Sequence, residues 1–401
     1  MMETRIYTLT SRLHDEKAVG AATREFLDSL NVSYVFRGDD YADYGSQGLD
    51  LIFVRTGGTE NIFRQLLPQL RSRSAQPFYL LASGKSNSLA ASMEILSFLN
   101  QQGIRGEILH GQPAYIAHRI HLLSAVCEGR GRLSGSRMGI IGSPSDWLIS
   151  STFDRKTVSE QLGIDLLDIP MEELLQEIVR TNDTPSPEQS PRMEIRQALP
   201  MAENIYQALK KLVGRHHLNG LTIRCFDLLS AVKNTGCLGL ARLNAEGIVA
   251  GCEGDVPAML SMAIAQALTG ETGFQANPAS IDPETGEILF AHCTIPLNMV
   301  ERYELDTHFE SGIGVGIRGY VREGPVTIFK TSGDLSRHFI AEGMLVSNQA
   351  KPNLCRTQQV VQLADKDQTA YFLTHPIGNH HIILRGHHRE LLEEFLLEKQ
   401  S

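Results

Sequence analysis

Leu49-Asp50-Leu51-Ile52-Phe53-Val54, then Thr56-Gly57-Gly58-Thr59-Glu60, then a helix-like stretch over residues 61–70, decide the reading of the fold. A buried apolar run, a polar turn and an amphipathic helix in succession are the signature of parallel α/β structure. The pattern recurs at once. Pro77-Phe78-Tyr79-Leu80-Leu81-Ala82 is the run, Ser83-Gly84-Lys85-Ser86-Asn87-Ser88 the turn, and a helix reaches residue 102. Residues 104–109 are expected to form a third strand.

A basic, glycine-rich segment, Gly129-Arg130-Gly131-Arg132-Leu133-Ser134-Gly135-Ser136-Arg137, reads as a hinge. Met138-Gly139-Ile140-Ile141-Gly142 then opens a second α/β unit, with a helix over residues 193–213 and a strand ending at Asp227. Residues 181–191, with prolines at 185, 187 and 191, read as a surface loop. After residue 280 the texture changes to short β-rich runs (288–293, 314–320, 326–330, 358–363 and 382–384), and few helices can be placed among them until residues 389–398. The expected class is α/β: two Rossmann-like α/β domains (1–136 and 137–246) followed by a β-rich, barrel-like C-terminal domain (247–401).

The chain has 401 residues, 42% apolar and 21% charged, which suits a folded globular protein rather than a disordered one. Forty-six acids against 37 bases leave a net charge of −9, a poor platform for counterion release, so no nucleic-acid partner is expected. No CxxC pair occurs among the six cysteines (127, 225, 237, 252, 293 and 355), so zinc-ribbon and thioredoxin readings fail. Six cysteines in a long chain, with no apolar leader over residues 1–10, suit a reducing cytoplasm. The most apolar helical stretch, residues 256–268, is too short to span a bilayer, and no membrane partner is expected.

Three glycine-rich signals carry little. Gly84-Lys85-Ser86 imitates the end of a phosphate-binding loop, but Tyr79 stands where that motif needs a glycine. Gly314-Val315-Gly316-Ile317-Arg318-Gly319 matches GxGxxG inside a strand-like run with no helix after it, which favours a tight β bend. Gly142-Ser143-Pro144-Ser145 could bind an anion ahead of a helix, but an ordinary loop is the better reading.

The informative residues are acids and imidazoles at strand ends. Asp227 follows an apolar strand, Glu253 and Asp255 stand in Gly251-Cys252-Glu253-Gly254-Asp255, His292 lies in another strand, and His380 and His381 precede an Ile-rich one. Strand ends followed by helices are where α/β proteins place ligands. Each residue also has a structural reading: Asp227 and Asp255 as helix caps, His292 as a hydrogen-bonded core histidine. As a set, oxygen ligands with imidazole fit one Mn²⁺ or Mg²⁺ ion.

From Cys225 to His381 the chain resembles the L-fucose isomerase and L-arabinose isomerase superfamily, in particular its short fucose-isomerase-like branch. The resemblance rests on Cys225-Phe226-Asp227-Leu228, Leu243-Asn244-Ala245-Glu246-Gly247, Gly251-Cys252-Glu253-Gly254-Asp255 and Ala291-His292-Cys293. It continues through Thr307-His308-Phe309-Glu310-Ser311-Gly312, Asn353-Leu354-Cys355-Arg356 and Gly378-Asn379-His380-His381. It implies a metal-dependent aldose–ketose isomerase acting on a deoxyhexose, pentose or related sugar through a cis-enediol. The implied metal ligands are Asp227, Glu253 and His380, with Asp227 and Glu253 also moving protons. The choice between Glu253 and Asp255 stays open, and His381 stands beside them. The family's further metal histidine aligns with Ser280 here, so His292, His308 or water takes its place. The resemblance also implies a homo-oligomer whose neighbouring subunit completes the site. The alternatives are a metal-dependent epimerase or lyase on a related polyol or sugar acid, and a non-catalytic sugar sensor.

Overall fold

The computed structural model describes residues 3–46, 48–181 and 185–397. The chain divides into two compact units, Met1–Gly131 with Glu394–Ser401, and Arg132–Glu393.

The first unit is a five-stranded parallel sheet in the order Val35–Gly38, Thr4–Leu9, Leu49–Val54, Phe78–Ala82 and Gly106–Leu109. The strand Leu49–Val54 is buried along its whole length because helices cover both faces of the sheet. One charged pair interrupts this core: Arg5 Nε donates to Asp50 Oδ1 at 2.7 Å on the neighbouring strand.

The glycine-rich segment expected to be a hinge is the end of a helix, Pro113–Leu133. Ile116, Ile120, Leu123 and Cys127 are buried at helical spacing, which outweighs the low helix propensity of Gly129 and Gly131. The turn falls later, at Ser134 and at Gly135 with its φ of +77°.

The second unit joins a parallel sheet to a closed antiparallel barrel. The sheet order is Asp165–Ile169, Arg137–Ile141, Gly220–Ile223 and Val249–Gly251. The barrel order is Phe274–Asp282, Glu287–His292, Thr357–Leu363, His338–Gln349, Gly324–Thr331 and His381–Arg385, which closes on the first strand. The α/β-plus-barrel class expected from the sequence is therefore observed. Two barrel strands escaped the sequence reading. Phe274–Asp282 carries Pro278 at a register shift, and in His338–Gln349 only Phe339, Ile340 and Ala341 form a buried apolar run, after which buried and exposed residues alternate from Gly343 to Val346.

Gly314-Val315-Gly316 leads into the strand Gly316–Tyr320 and not into a phosphate-binding loop. Gly314 is required there: its φ is +69°, and a Cβ would lie 2.8 Å from the Thr235 nitrogen. The apolar stretch 256–268 belongs to a buried helix, Val256–Thr269, packed on the sheet and the barrel. Among the described residues no helix is long and apolar enough to cross a membrane. Residues 185–191 of the expected loop form neither helix nor strand. Residues 182–184 and Glu398, the last residue of the expected C-terminal helix, lie outside the described residues.

Candidate functional site

The carboxyl ends of the second unit's parallel strands face one rim of the barrel. Glu253 follows Val249–Gly251, Cys225 and Phe226 follow Gly220–Ile223, and Trp147 lies beyond Arg137–Ile141. From the barrel, His292 ends its strand and His380 immediately precedes His381–Arg385. Asn277 pairs with Ala291 and Ala276 with His381, so the two histidines flank one strand at the same rim. Their ring centroids are 5.4 Å apart and nearly perpendicular.

Glu253, His292 and His380 converge, each offering one ligand atom, and those atoms lie within 4.8 Å of one another. Glu253 Oε1 lies 3.5 Å from His380 Nε2 and 3.8 Å from His292 Nε2. Trp147 Nε1 donates to the other oxygen, Oε2, at 2.7 Å. Glu253 also adopts a φ of +65°, an uncommon state for a residue with a Cβ, where glycine or asparagine would be cheaper. Gly254 next to it has a φ of +69°, and a Cβ there would lie 2.5 Å from the Ser143 carbonyl oxygen. Ser145 N–H closes the same contact by donating to the Glu253 carbonyl at 3.0 Å. The loop bearing Trp147 is thereby docked on the loop bearing Glu253.

Asp255 supports the cluster from behind. Its Oδ1 accepts from Ala258 N–H at 2.8 Å, capping the helix Val256–Thr269, so the capping role read from sequence is observed. Its Oδ2 lies 2.8 Å from His380 Nδ1 and 3.7 Å from Lys330 Nζ, and both Asp255 and Lys330 are 0% exposed. A proton held on Nδ1 by this carboxylate reserves Nε2 for a cation, whose binding would displace the second proton that Glu253 and Asp255 otherwise favour on the ring. That Nε2 is buried and has no hydrogen-bond partner. His292 is oriented alike, its Nδ1 being 3.0 Å from Thr294 Oγ1.

The electrostatics follow from this packing. Burial opposes ionisation of Glu253, but His292 and His380 outweigh it and hold the carboxyl far below its usual range. Burial pulls His380 down, and Asp255 and Glu253 more than reverse this, raising it to about 9. Asp255 is held at about 2, with Lys330 and His380 overcoming burial. Burial drives Lys330 down, and it drives His381, whose Nε2 meets the Tyr371 hydroxyl at 3.0 Å, to about 3.

Asp227 is not brought into the cluster. It is 53% exposed, with Oδ2 bonded to Arg224 Nε at 2.9 Å. His381 faces the Tyr371 side. His308 lines the cavity beside the cluster, together with Phe226, Asn277, Glu310 and Cys225. Its Nδ1 is 3.0 Å from Ser311 Oγ, and its ring meets the Phe226 ring edge-on. Ser280 is exposed on its strand opposite Leu289, and His292 supplies the imidazole of the cluster. Trp147 and Lys330 were not singled out from sequence. A lysine ending the apolar run Val326-Thr327-Ile328-Phe329-Lys330 was the available signal for the second.

No family model matches the chain. Curated relatives do. A sulfoquinovose isomerase of Clostridium sp. (strain MSTE9) is 26% identical over 227 residues, covering 53% of this chain and 49% of that protein. A sulfoquinovose isomerase of Alkalicoccus urumqiensis is 21% identical over 263 residues, covering 61% and 59%. One of Priestia aryabhattai is 23% identical over 215 residues, covering 50% and 48%. The chain thus spans about half the length of the curated relatives it matches.

Proposed function

We propose that this protein is a metal-dependent sugar isomerase that interconverts an aldose and a ketose, with Glu253, His292 and His380 holding a divalent cation. The observation that carries the proposal is the buried, unpartnered Nε2 of His380, aimed at the Glu253 carboxylate and backed by Asp255. The names of the relatives support the sugar-isomerase class. Two imidazoles and one carboxylate favour Mn²⁺ over Mg²⁺, which prefers all-oxygen ligands. When bound, such a cation polarises neighbouring hydroxyl and carbonyl oxygens and stabilises the negative charge of enolisation.

The chain's own residues supply the rest. Trp147 fixes the Glu253 carboxylate, and Asp255 fixes the His380 tautomer. Movement of a proton between C1 and C2 needs a carboxylate not committed to the cation. Glu310 in the cavity wall is the first assigned to that work, and Asp227, which lies outside the cavity lining and would have to turn from Arg224, is the second. Glu253 serves the charge at the cation rather than the proton. The reading extends to a homo-oligomer in which a neighbouring copy completes the cavity, as the fucose-isomerase-like resemblance implies.

The test is a panel of aldoses, sulfoquinovose among them, incubated with the protein and Mn²⁺ and followed by NMR. Ketose should appear from one class of sugar and should fail to appear once the protein is stripped by chelator. Deuterium exchange at C2 without ketose would move the assignment to an epimerase. No exchange with any sugar would refute the proposal.

A further inference from the structure

Five of the six cysteines, 225, 237, 252, 293 and 355, line the cavity beside the Glu253 cluster, and all are free. Two of them are nearly in bonding contact: Cys225 Sγ and Cys252 Sγ are 2.7 Å apart. The topology enforces this meeting. Gly220–Ile223 and Val249–Gly251 are adjacent parallel strands with Thr222 opposite Gly251, and each chain turns into a helix-bearing loop just beyond that pair. Cys252 is buried and anchored, its N–H donating to Gln275 Oε1 at 2.8 Å, whereas Cys225 is partly exposed. The Glu253 N–H donates to Cys225 Sγ at 3.4 Å. The thiol pair therefore touches the backbone of the residue whose left-handed conformation aims its carboxylate at His292 and His380.

We propose that Cys225 and Cys252 form a dithiol modification site that closes reversibly to a disulfide and, in closing, disables the Glu253–His292–His380 cluster. The oxidant is hydrogen peroxide. Cys225 sulfur attacks one peroxide oxygen and the O–O bond breaks. The thiol proton leaves with the departing hydroxide as water, and Cys225 becomes a sulfenic acid. Cys252 sulfur then attacks the Cys225 sulfur, the S–O bond breaks, and the hydroxyl takes the Cys252 proton as a second water. Two thiols are oxidised by two electrons and one peroxide is reduced to two waters. A disulfide of about 2.05 Å requires the sulfurs to approach by only about 0.65 Å. In a reducing compartment such a bond is transient and thiol-reversible, which suits a sensor and not a structural brace.

Closure acts on Glu253 by two routes. The sulfur that accepts its N–H becomes part of a disulfide, a poorer acceptor, and the peptide joining Cys252 to Glu253 shifts with its sulfur. The remaining pair, Cys293 and Cys355, share a hydrogen bond on the barrel side and lack this link to Glu253. The loss of cation affinity rests on the proposed reading of the cluster; the disulfide itself does not.

The experiment uses the full chain, reduced, treated with hydrogen peroxide, alkylated, digested and mapped by mass spectrometry, with Mn²⁺ affinity measured before oxidation, after it, and after dithiothreitol. The expected dominant product joins the Cys225 and Cys252 peptides, with Mn²⁺ affinity reduced at least tenfold and restored by dithiothreitol. Cys225→Ser should prevent the link and leave Mn²⁺ affinity after peroxide equal to that variant's own reduced value. Alkylation of both residues as free thiols after peroxide, or a dominant Cys293–Cys355 link, overturns the proposal whether or not the variant folds. A Cys225–Cys252 link with unchanged Mn²⁺ affinity overturns the switch. Reduced protein that binds no Mn²⁺ refutes the cation reading instead, and the map alone then decides the dithiol.

Discussion

Asp255→Asn separates the two jobs of one buried side chain. In the structure Oδ1 caps a helix at Ala258 N–H and Oδ2 receives His380 Nδ1–H, both at 2.8 Å. Asparagine is isosteric and caps about as well as aspartate, so one orientation of the amide keeps the cap. In that orientation the amide NH₂ faces His380 Nδ1 and can only donate, which moves the imidazole proton to Nε2 and blocks the lone pair. The flipped amide restores the tautomer but gives up the cap, at about 1 kcal/mol. Exchanging a charge-assisted hydrogen bond for a neutral one adds about 1 kcal/mol more. The sum, about 2 kcal/mol, corresponds to about 30-fold in Mn²⁺ affinity at about 1.4 kcal/mol per decade, within the roughly 10–100-fold range for residues that orient a metal-binding histidine. Stability should fall as well, because Lys330 loses its countercharge. Breaking a buried pair costs about 3–5 kcal/mol, and burial already favours neutral Lys330, so the loss should sit at or below the lower end. Titration calorimetry with Mn²⁺ on the folded variant reads the first effect and urea denaturation the second. A folded variant whose Mn²⁺ affinity stays within about twofold of the parent would refute the assignment of Asp255 as the orienting partner.

Glu253→Gln removes the negative charge facing two imidazoles, and Mn²⁺ affinity should fall by more than the about 10–100-fold expected of a supporting residue; calorimetry reads it directly. Asp227→Asn should leave Mn²⁺ affinity unchanged and lower sugar enolisation by about 10²–10⁴-fold, seen as slower deuterium incorporation by NMR. Trp147→Phe keeps the edge-on contact with Phe226 and deletes the hydrogen bond to Glu253; turnover should fall while the denaturation midpoint moves little, because Trp147 is half exposed. Gly254→Ala places a methyl 2.5 Å from the Ser143 carbonyl at a left-handed φ, and a destabilisation of about 2 kcal/mol or more should appear in urea denaturation.

The parallel strands were legible because helices on both faces make them continuous apolar runs, as at Leu49–Val54 and Phe78–Ala82. The strand His338–Gln349 was not, because its buried apolar run is only Phe339, Ile340 and Ala341 and half-exposed alternation follows. The boundary between the two compact units does fall within segment 129–137, after Gly131, but its glycines signal a break in local structure, whereas the helical spacing of Ile116, Ile120, Leu123 and Cys127 lies upstream and carries the helix on to Leu133 through burial. In the site, the Gly251–Asp255, Ala291–Cys293 and Gly378–His381 stretches carried all three converging residues, with His292 one of several alternatives. What singles His292 out is barrel closure: Phe274–Asp282 pairs with strands on both sides and brings His292 beside His380, a long-range fact no local pattern carries. Asp227 looked equivalent in sequence, but Arg224, one helical turn before it, draws its carboxylate aside.

Anomalous diffraction from crystals grown with Mn²⁺ shows whether Glu253, His292 and His380 hold one divalent cation. A single strong peak is expected about 2.0–2.3 Å from a Glu253 carboxylate oxygen, His292 Nε2 and His380 Nε2. A peak coordinated by Asp227 without these histidines, or no peak at this cluster in Mn²⁺-saturated crystals, would refute the three-residue cation site.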